Sequence, residues 1–178
     1  MGIPVIIGIA GLPRSGKDTV AAYLLAKHGG YRYAFADAIV RMLNAGFETD
    51  FDNEYWTEHK EDIIPAIGKS PRELRQLLGT EWGRNLINKD LWVTLALAKY
   101  IKEGPGMVIP DVRFQNEAKF VRDRGGVIIH VDGPHGVMSN THVSNMPITR
   151  ISADLVIQNT GSLVDLHHKV DELFDGQS

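Results

Sequence analysis

The stretch Gly11-Leu12-Pro13-Arg14-Ser15-Gly16-Lys17-Asp18-Thr19 decides the fold of this chain. It has the spacing Gly-x4-Gly-Lys, it follows an apolar strand predicted over 5–10, and it leads into an amphipathic segment at 20–25. In such a strand–loop–helix unit, backbone N–H groups wrap phosphates and the helix dipole favours negative charge, while Lys17 reaches the terminal phosphates. The stretch therefore predicts a phosphate-binding loop. The alternative is a glycine-rich turn between a strand and a helix.

The residue after the lysine departs from the usual motif. That position normally holds Ser or Thr, whose hydroxyl binds Mg²⁺, whereas this chain has Asp18 followed by Thr19. A carboxylate can also hold Mg²⁺, which prefers oxygen ligands. Alternatively, Asp18 only places a favourable charge in the first helical turn, and Thr19 supplies the metal-side hydroxyl. Both assignments are open at the level of sequence.

Composition restricts the classes of function. The chain has 178 residues, 43% of them hydrophobic, and a net charge of −3, which argues against a protein that coats polymeric nucleic acid. It has no cysteine, which excludes disulfides and thiolate metal sites and is typical of a reducing cytoplasm. No stretch is long enough to span a membrane, and the apolar N-terminal run is too short for a signal peptide. We expect a cytoplasmic protein with no membrane partner, in the host cytoplasm if the chain is phage-encoded.

Strands alternate with helices along the whole chain. This alternation predicts an α/β fold in one domain, 1–178, with a parallel sheet covered by helices on both faces. We expect Gly29-Gly30 to end the first helix and Asp37 to lie at the C-terminal end of the second strand. The five predicted strands are 5–10, 31–36, 107–109, 127–131 and 154–157.

The middle of the chain carries two contrasting segments. Residues 48–62 are acidic and aromatic, and we interpret them as a solvated connection. Ser70-Pro71-Arg72-Glu73 predicts a helix start with a capping box. A buried stripe is expected on the helix that follows, formed by Leu74, Leu77, Leu78 and Trp82.

Polar residues crowd the end of the strand at 107–109. Asp111 can accept from a base or sugar, Arg113 offers a planar fork suited to phosphate, and Asn116 and Glu117 can hydrogen-bond a base edge. The alternative is a capped helix N-terminus with an Asp–Arg pair. The neighbouring phosphate loop favours a functional interpretation.

Several short motifs occur together in a fixed order. They are Gly-x-x-Arg-Ser-Gly-Lys-Asp-Thr at 11–19, Phe35-Ala36-Asp37, Arg72 with the run from Gln76 to Arg84, the run from Asp111 to Glu117, His142-Val143-Ser144, and Asp154 with the run from Asn159 to Leu163.

This series resembles the bacteriophage deoxynucleoside monophosphate kinases, which have the P-loop nucleoside monophosphate kinase fold. The resemblance implies transfer of the ATP γ-phosphate to a deoxynucleoside monophosphate with Mg²⁺, and a homodimer is an open alternative to a monomer. It implies that ATP is contacted by Gly11, Arg14, Ser15, Gly16, Lys17, Asp18 and Thr19. Asp18 and Thr19 would lie on the metal side. Lys17, Arg14 and Arg113 would be catalytic. The residues implied around the monophosphate are Asp37, Arg72, Gln76, Arg84, Asp111, Arg113, Asn116 and Glu117.

The region expected to form a lid, 133–150, departs from the pattern of similar kinases. Adenylate-kinase-like enzymes fold an arginine-bearing lid over ATP, whereas 133–149 here has no Lys or Arg. The transferring phosphoryl charge would then be neutralised by Lys17, Arg14, Arg84, Arg113 or Arg150. The same fold also resembles animal-type phosphomevalonate kinase and, more distantly, dephospho-coenzyme A kinase. A nucleotide-binding module without transfer activity is the alternative outside the enzymes.

Overall fold

A computed structural model describes residues 6–47, 53–133 and 152–175. Two compact units can be distinguished among them, one formed by the residues up to Tyr33 together with those from Leu97 onward, and the other by Ala34–Ala96. The expectation of one domain over 1–178 stays a prediction. The predicted lid lies outside the described residues apart from Gly133, as does Arg150.

The first unit is built on a parallel sheet of five strands in the order β2-β3-β1-β4-β5. This confirms the predicted α/β fold and the strand number. The strands are β1 (Ile6–Ala10), β2 (Tyr31–Arg32), β3 (Met107–Ile109), β4 (Val127–Asp132) and β5 (Leu155–Gln158). All four neighbouring pairs are parallel, so the C-terminal ends of the strands share one edge of the sheet.

Helices cover both faces of this sheet. Helices α1 (Lys17–His28) and α7 (Leu163–Asp175) pack their buried residues, such as Leu24 and Val170, against Ile9 and Ile129. On the opposite face, helix α6 (Gln115–Arg122) brings Val121 against Gly8 of the central strand, where an added Cβ would meet three side chains. The parallel strands are therefore buried on both faces, which explains their nearly continuous apolar sequences.

The second unit is helical. It contains α2 (Phe35–Phe47), α3 (Asn53–Glu58), α4 (Pro71–Gln76), a π-helix (Leu77–Ile87) and the first part of α5 (Leu91–Glu103), whose last part belongs to the first unit. The capping box at Ser70 is confirmed, since Glu73 N donates to Ser70 Oγ at 3.3 Å and Ser70 N donates to Glu73 Oε2 at 2.9 Å. None of the described helices is long and apolar enough to cross a membrane.

The prediction of a strand over 31–36 was wrong beyond Arg32, and the interpretation of 48–62 as a solvated connection was wrong in part. β2 ends at Arg32, so Asp37 lies in the first turn of α2 and not at a strand end. The apolar residues around Phe35 are buried as part of a helix. A short apolar run is equally consistent with a strand and with a helix, so the sequence pattern could not separate the two. Within 48–62, residues 53–58 form α3, and Trp56 is only 1% exposed and donates to Asn44 Oδ1 at 2.9 Å. The rest of that segment up to residue 52 is outside the described residues.

The buried stripe predicted after Ser70 was also wrong in part. Leu74 is buried, but Leu77 is 46% and Trp82 37% exposed. Beyond Gln76 the chain is π-helical, with hydrogen bonds to the fifth preceding residue, so the 3.6-residue period no longer describes which side chains share a face. The buried positions there are Gly79, Thr80 and Gly83. The Trp92 ring packs against Gly83, and its Nε1 donates to the Gly79 carbonyl oxygen at 2.7 Å.

Candidate active site

The loop from Gly11 to Gly16 has a backbone that requires its glycines. Gly11 has φ +142° and Gly16 has φ +102°, conformations that other residues rarely adopt. A Cβ at Gly11 would meet the Val131 carbonyl oxygen, and a Cβ at Gly16 would lie 2.5 Å from Asn159 Nδ2. Arg14 also has a positive φ, +64°, although it carries a side chain. The two motif glycines are therefore needed for both backbone conformation and space.

The N-terminus of α1 has no side-chain cap. Gly16 occupies the N-cap position, where no side chain accepts from the first turn, and Asp18 lies within that turn. The first N–H groups of a helix have no partner inside the helix and attract anions. The end of α1 therefore has the features of a phosphate site.

Lys17 lies half-buried at this helix end. Its Nζ donates to the Leu12 carbonyl oxygen at 2.6 Å, so the ammonium group folds back over the loop. Burial lowers the pKa of Lys17 and the Arg113 guanidinium lowers it further, whereas Asp18 and Asp111 raise it. The charged groups that affect this lysine thus come from the first turn of α1 and from the loop after β3.

Backbone pairing brings the phosphate loop and the loop after β3 together. β1 and β3 are neighbours, and Val112 N donates to the Ile9 carbonyl oxygen at 3.1 Å just beyond the end of β3. This bond places the segment with Asp111 and Arg113 beside the phosphate loop. Arg113 is exposed and Asp111 is half-buried. Acidic and basic groups therefore meet where a phosphorylated ligand would approach Lys17.

Glu117 closes the N-terminus of α6. It is 1% exposed, and its Oε2 accepts from Arg113 N at 2.7 Å and from Phe114 N at 3.0 Å. Its neighbour Asn116 is half-buried, and its Oδ1 accepts from Glu117 N at 3.1 Å. The structure thus gives Glu117 the capping role that the sequence left as the alternative to base recognition.

Four of the residues implied around the monophosphate belong to the second unit: Asp37, Arg72, Gln76 and Arg84. Asp37 is in the first turn of α2, and Arg72 and Gln76 lie one turn apart on α4. Arg72 Nε donates to Glu61 Oε1 at 2.7 Å, and Arg84 Nη1 lies 3.4 Å from the Lys89 carbonyl oxygen. Their roles toward a substrate stay predictions.

The donors available for a magnesium ion are few. Asp18 is exposed and Thr19 half-buried, and no cluster of three or more potential metal-ligating residues occurs among the described residues. Mg²⁺ commonly uses only one or two protein oxygens and completes its coordination with phosphates and water. An oxygen-only pair in the first turn of α1 fits that pattern.

Sequence reasoning missed two residues that support the loop. Asn159 Nδ2 donates to the Ser15 carbonyl oxygen at 2.9 Å, and a Cβ at Gly133 would lie 2.7 Å from Ser15 Cα. In the sequence, Asn159 belongs to the motif of Asp154 with the run from Asn159 to Leu163, to which no role is assigned. The available signal was its position directly after a strand at the ligand-binding edge of the sheet.

Comparison with known proteins decides the family. The family model for deoxynucleotide monophosphate kinase matches residues 5–68 and 67–170. The chain belongs to this family. A deoxynucleotide monophosphate kinase of Enterobacteria phage T4 is 34% identical, with 93% of this chain and 96% of the T4 protein covered. A protein of Acanthamoeba polyphaga mimivirus with a provisional name of the same kind is 28% identical, with 98% of each chain covered.

Solved structures give the same fold. A shikimate kinase from Acinetobacter baumannii in complex with shikimate matches with a TM-score of 0.51 and 15% identity, covering 99% of this chain and 95% of that one. At this identity the match shows the fold alone. Together with the family assignment, it confirms the prediction of a nucleotide-dependent P-loop kinase.

Proposed function

We propose that this family member transfers the γ-phosphoryl group of ATP to a deoxynucleoside monophosphate in the cytoplasm. The bond between the γ-phosphorus and the bridging oxygen breaks, and ADP leaves. A new bond forms to an oxygen of the monophosphate, which gives a deoxynucleoside diphosphate. The named relatives support this substrate class.

One observation carries the proposal. The ammonium of Lys17 is half-buried at the open end of α1, and the bond from Val112 N to the Ile9 carbonyl oxygen holds the segment with Asp111 and Arg113 beside the phosphate loop. Phosphoryl transfer depends mainly on positioning and charge stabilisation, because the transition state spreads negative charge over the transferred group. A site with cations from both loops can bind donor phosphates on one side and a second phosphate on the other.

The residues take distinct parts in this proposal. Lys17 binds the terminal phosphates, exchanging its bond to the Leu12 carbonyl oxygen for phosphate oxygens. Arg14 and Arg113 neutralise charge on the transferred group. Asp18 and Thr19 would hold Mg²⁺, which screens the phosphate charges when it is bound.

The substrate side rests on fewer observations. Asn116 is a half-buried amide three residues after Arg113, and we assign it to the base edge of the monophosphate. A buried base needs its polar edge matched, since an unpaired group loses its hydration without compensation. The family resemblance assigns Asp37, Arg72, Gln76 and Arg84 to the same substrate.

A coupled assay of ADP release tests the proposal. It is run with ATP and Mg²⁺ across all deoxynucleoside monophosphates, and with mevalonate phosphate and dephospho-coenzyme A as alternative acceptors. We expect turnover with at least one deoxynucleoside monophosphate and none with the other two. Turnover of another acceptor in the absence of any nucleotide acceptor would overturn the substrate assignment, and ATP binding without any transfer would favour a binding module.

The Asn116→Ala variant sharpens that assay. It should change the order of kcat/KM values among the deoxynucleoside monophosphates while KM for ATP stays unchanged. Gln115→Ala, at the exposed neighbouring position, is the matched control. An unchanged order in Asn116→Ala would remove this residue from the substrate site.

A further inference from the structure

Asn159 connects three strand ends. It directly follows β5, and its backbone N–H donates to the Asp132 carbonyl oxygen at the end of β4 at 2.6 Å. Its side-chain Nδ2 donates to the Ser15 carbonyl oxygen, in the loop after β1, at 2.9 Å. One residue thus ties the phosphate loop to the two neighbouring strands of the sheet.

The bond from Asn159 fixes the orientation of the peptide between Ser15 and Gly16. A peptide unit is planar and trans, so its carbonyl and its N–H point in opposite directions. No cis peptide occurs among the described residues. Holding the Ser15 carbonyl oxygen toward Asn159 therefore turns the Gly16 N–H away from Asn159. In phosphate loops, successive backbone N–H groups that point to one side form an anion-binding concavity.

Among the described residues, the other bond close to this peptide is the one from Ser15 N to the Leu12 carbonyl oxygen at 3.2 Å, on the preceding peptide. Gly16 has no Cβ and adopts φ +102°. The peptide before it can therefore rotate with less steric hindrance than a peptide before a residue that carries a side chain. The side chain of Ser15 is fully buried, yet its Oγ is without a hydrogen-bond partner in the described part of the chain. Gly133 contacts Ser15 only through its backbone, at a position where a Cβ would lie 2.7 Å from Ser15 Cα.

We propose that Asn159 is a positioning residue for the triphosphate, which acts by holding the Ser15–Gly16 peptide in the orientation that donates the Gly16 N–H to phosphate. The inference rests on the proposed use of ATP. Asn159 itself touches no phosphate in this scheme. Its loss therefore leaves every group of the loop in place and removes only the constraint on one peptide.

The test compares ATP binding and steady-state kinetics in three variants. Asn159→Ala removes the side-chain donor and adds no charge. Asn159→Asp keeps the size of the side chain and replaces the donor with an acceptor. Both keep the backbone bond to Asp132. Thr160→Ala changes the exposed next residue and serves as the control.

We expect Asn159→Ala to raise the Kd and KM for ATP roughly two- to tenfold, the range that loss of one neutral hydrogen bond gives. Asn159→Asp should raise both further, because a carboxylate faces the Ser15 carbonyl. KM for the monophosphate should stay unchanged in both, and Thr160→Ala should behave as the wild type.

Two results overturn the inference: ATP binding by Asn159→Ala that is as tight as in the wild type, or a rise in both KM values together with a lower Tm. The second result would show a general structural role. Failure of the wild-type protein to bind ATP would instead contradict the proposed function, so the two failures are distinguishable.

Discussion

Helix α1 begins a few residues after β1, and helix α6 begins a few residues after β3, the strand paired with β1. The N-termini of the two helices differ. At α6, the buried carboxylate of Glu117 accepts from two backbone N–H groups. At α1, Gly16 provides no side chain, and the first turn contains only the exposed Asp18 and the half-buried Lys17. The N-terminus of α6 thus binds a carboxylate of the protein itself, whereas the N-terminus of α1 has no side-chain cap and can accept an anion of a ligand.

This difference separates structural from functional polar residues. A carboxylate at a helix N-terminus satisfies N–H donors and the helix dipole, and this is enough to explain Glu117. Nothing in the described part of the chain supplies an equivalent anion at α1, where a lysine is half-buried instead. The comparison therefore predicts that changes at α1 reduce catalysis, whereas changes at the α6 cap reduce stability.

The largest effect is expected for Lys17→Ala. Removal of the Lys17 ammonium at the open helix end should lower turnover by about 10³-fold or more, the scale at which single cations act in phosphoryl transfer. Turnover of the folded variant is measured, with folding checked by circular dichroism. Lys119→Ala, at an exposed lysine on α6, is the control. A Lys17→Ala variant with more than about a tenth of the wild-type turnover would contradict the proposed role, since so small a loss is under 1.4 kcal/mol.

A smaller effect, on stability, is expected for Glu117→Gln. The amide keeps an acceptor but loses the charge, so unfolding should become easier by about 1–2 kcal/mol, the difference between charged and neutral hydrogen bonds. This corresponds to a fall in Tm of roughly 2–8 °C for a chain of this size. Asp123→Asn, just beyond the exposed end of the same helix, should change Tm little. If Tm stays constant while KM for the monophosphate rises, Glu117 recognises substrate and the contrast between the two helix ends fails.

The smallest effect concerns pH. Because burial lowers the pKa of Lys17, its charge is lost at a lower pH than the ordinary lysine value of about 10.4. ATP affinity should be full below the lowered pKa and should fall as pH rises through it, by at most about tenfold per pH unit for one proton. The Kd for ATP is measured from pH 7 to 10. Lys17→Arg should abolish the fall, since a guanidinium stays charged throughout. Parallel curves for the two proteins would show that another group titrates.

The fold could be predicted largely from local signals. The glycine loop before α1, the stop at Gly29 and the apolar strands each specify one element, and parallel pairing then brings their C-terminal ends to one edge. Asp111 and Arg113 could be placed near Lys17 for this reason. Predicting that these residues lie near each other requires only the strand order and no information on side-chain contacts.

The errors arose where tertiary packing overrides local pattern. Trp56 is in an acidic segment, but it is buried against other helices of its unit. A 3.6-residue period predicts that Leu77 and Trp82 are buried, but the π-helix does not follow this period and both side chains are exposed. The capping role of Glu117 could be recognised from sequence only as an alternative, because a carboxylate at that position serves a helix end and a ligand equally well.

Arg14 has a further consequence for the stability of the loop. A non-glycine residue with φ +64° costs roughly 1–2 kcal/mol relative to ordinary backbone, and glycine avoids most of this strain. The chain thus has an arginine at a position where the simplest residue would make the native state more stable. A sequence shaped by stability alone would have a third glycine in this loop, so the strain at Arg14 favours a use for its guanidinium group beyond holding the fold together.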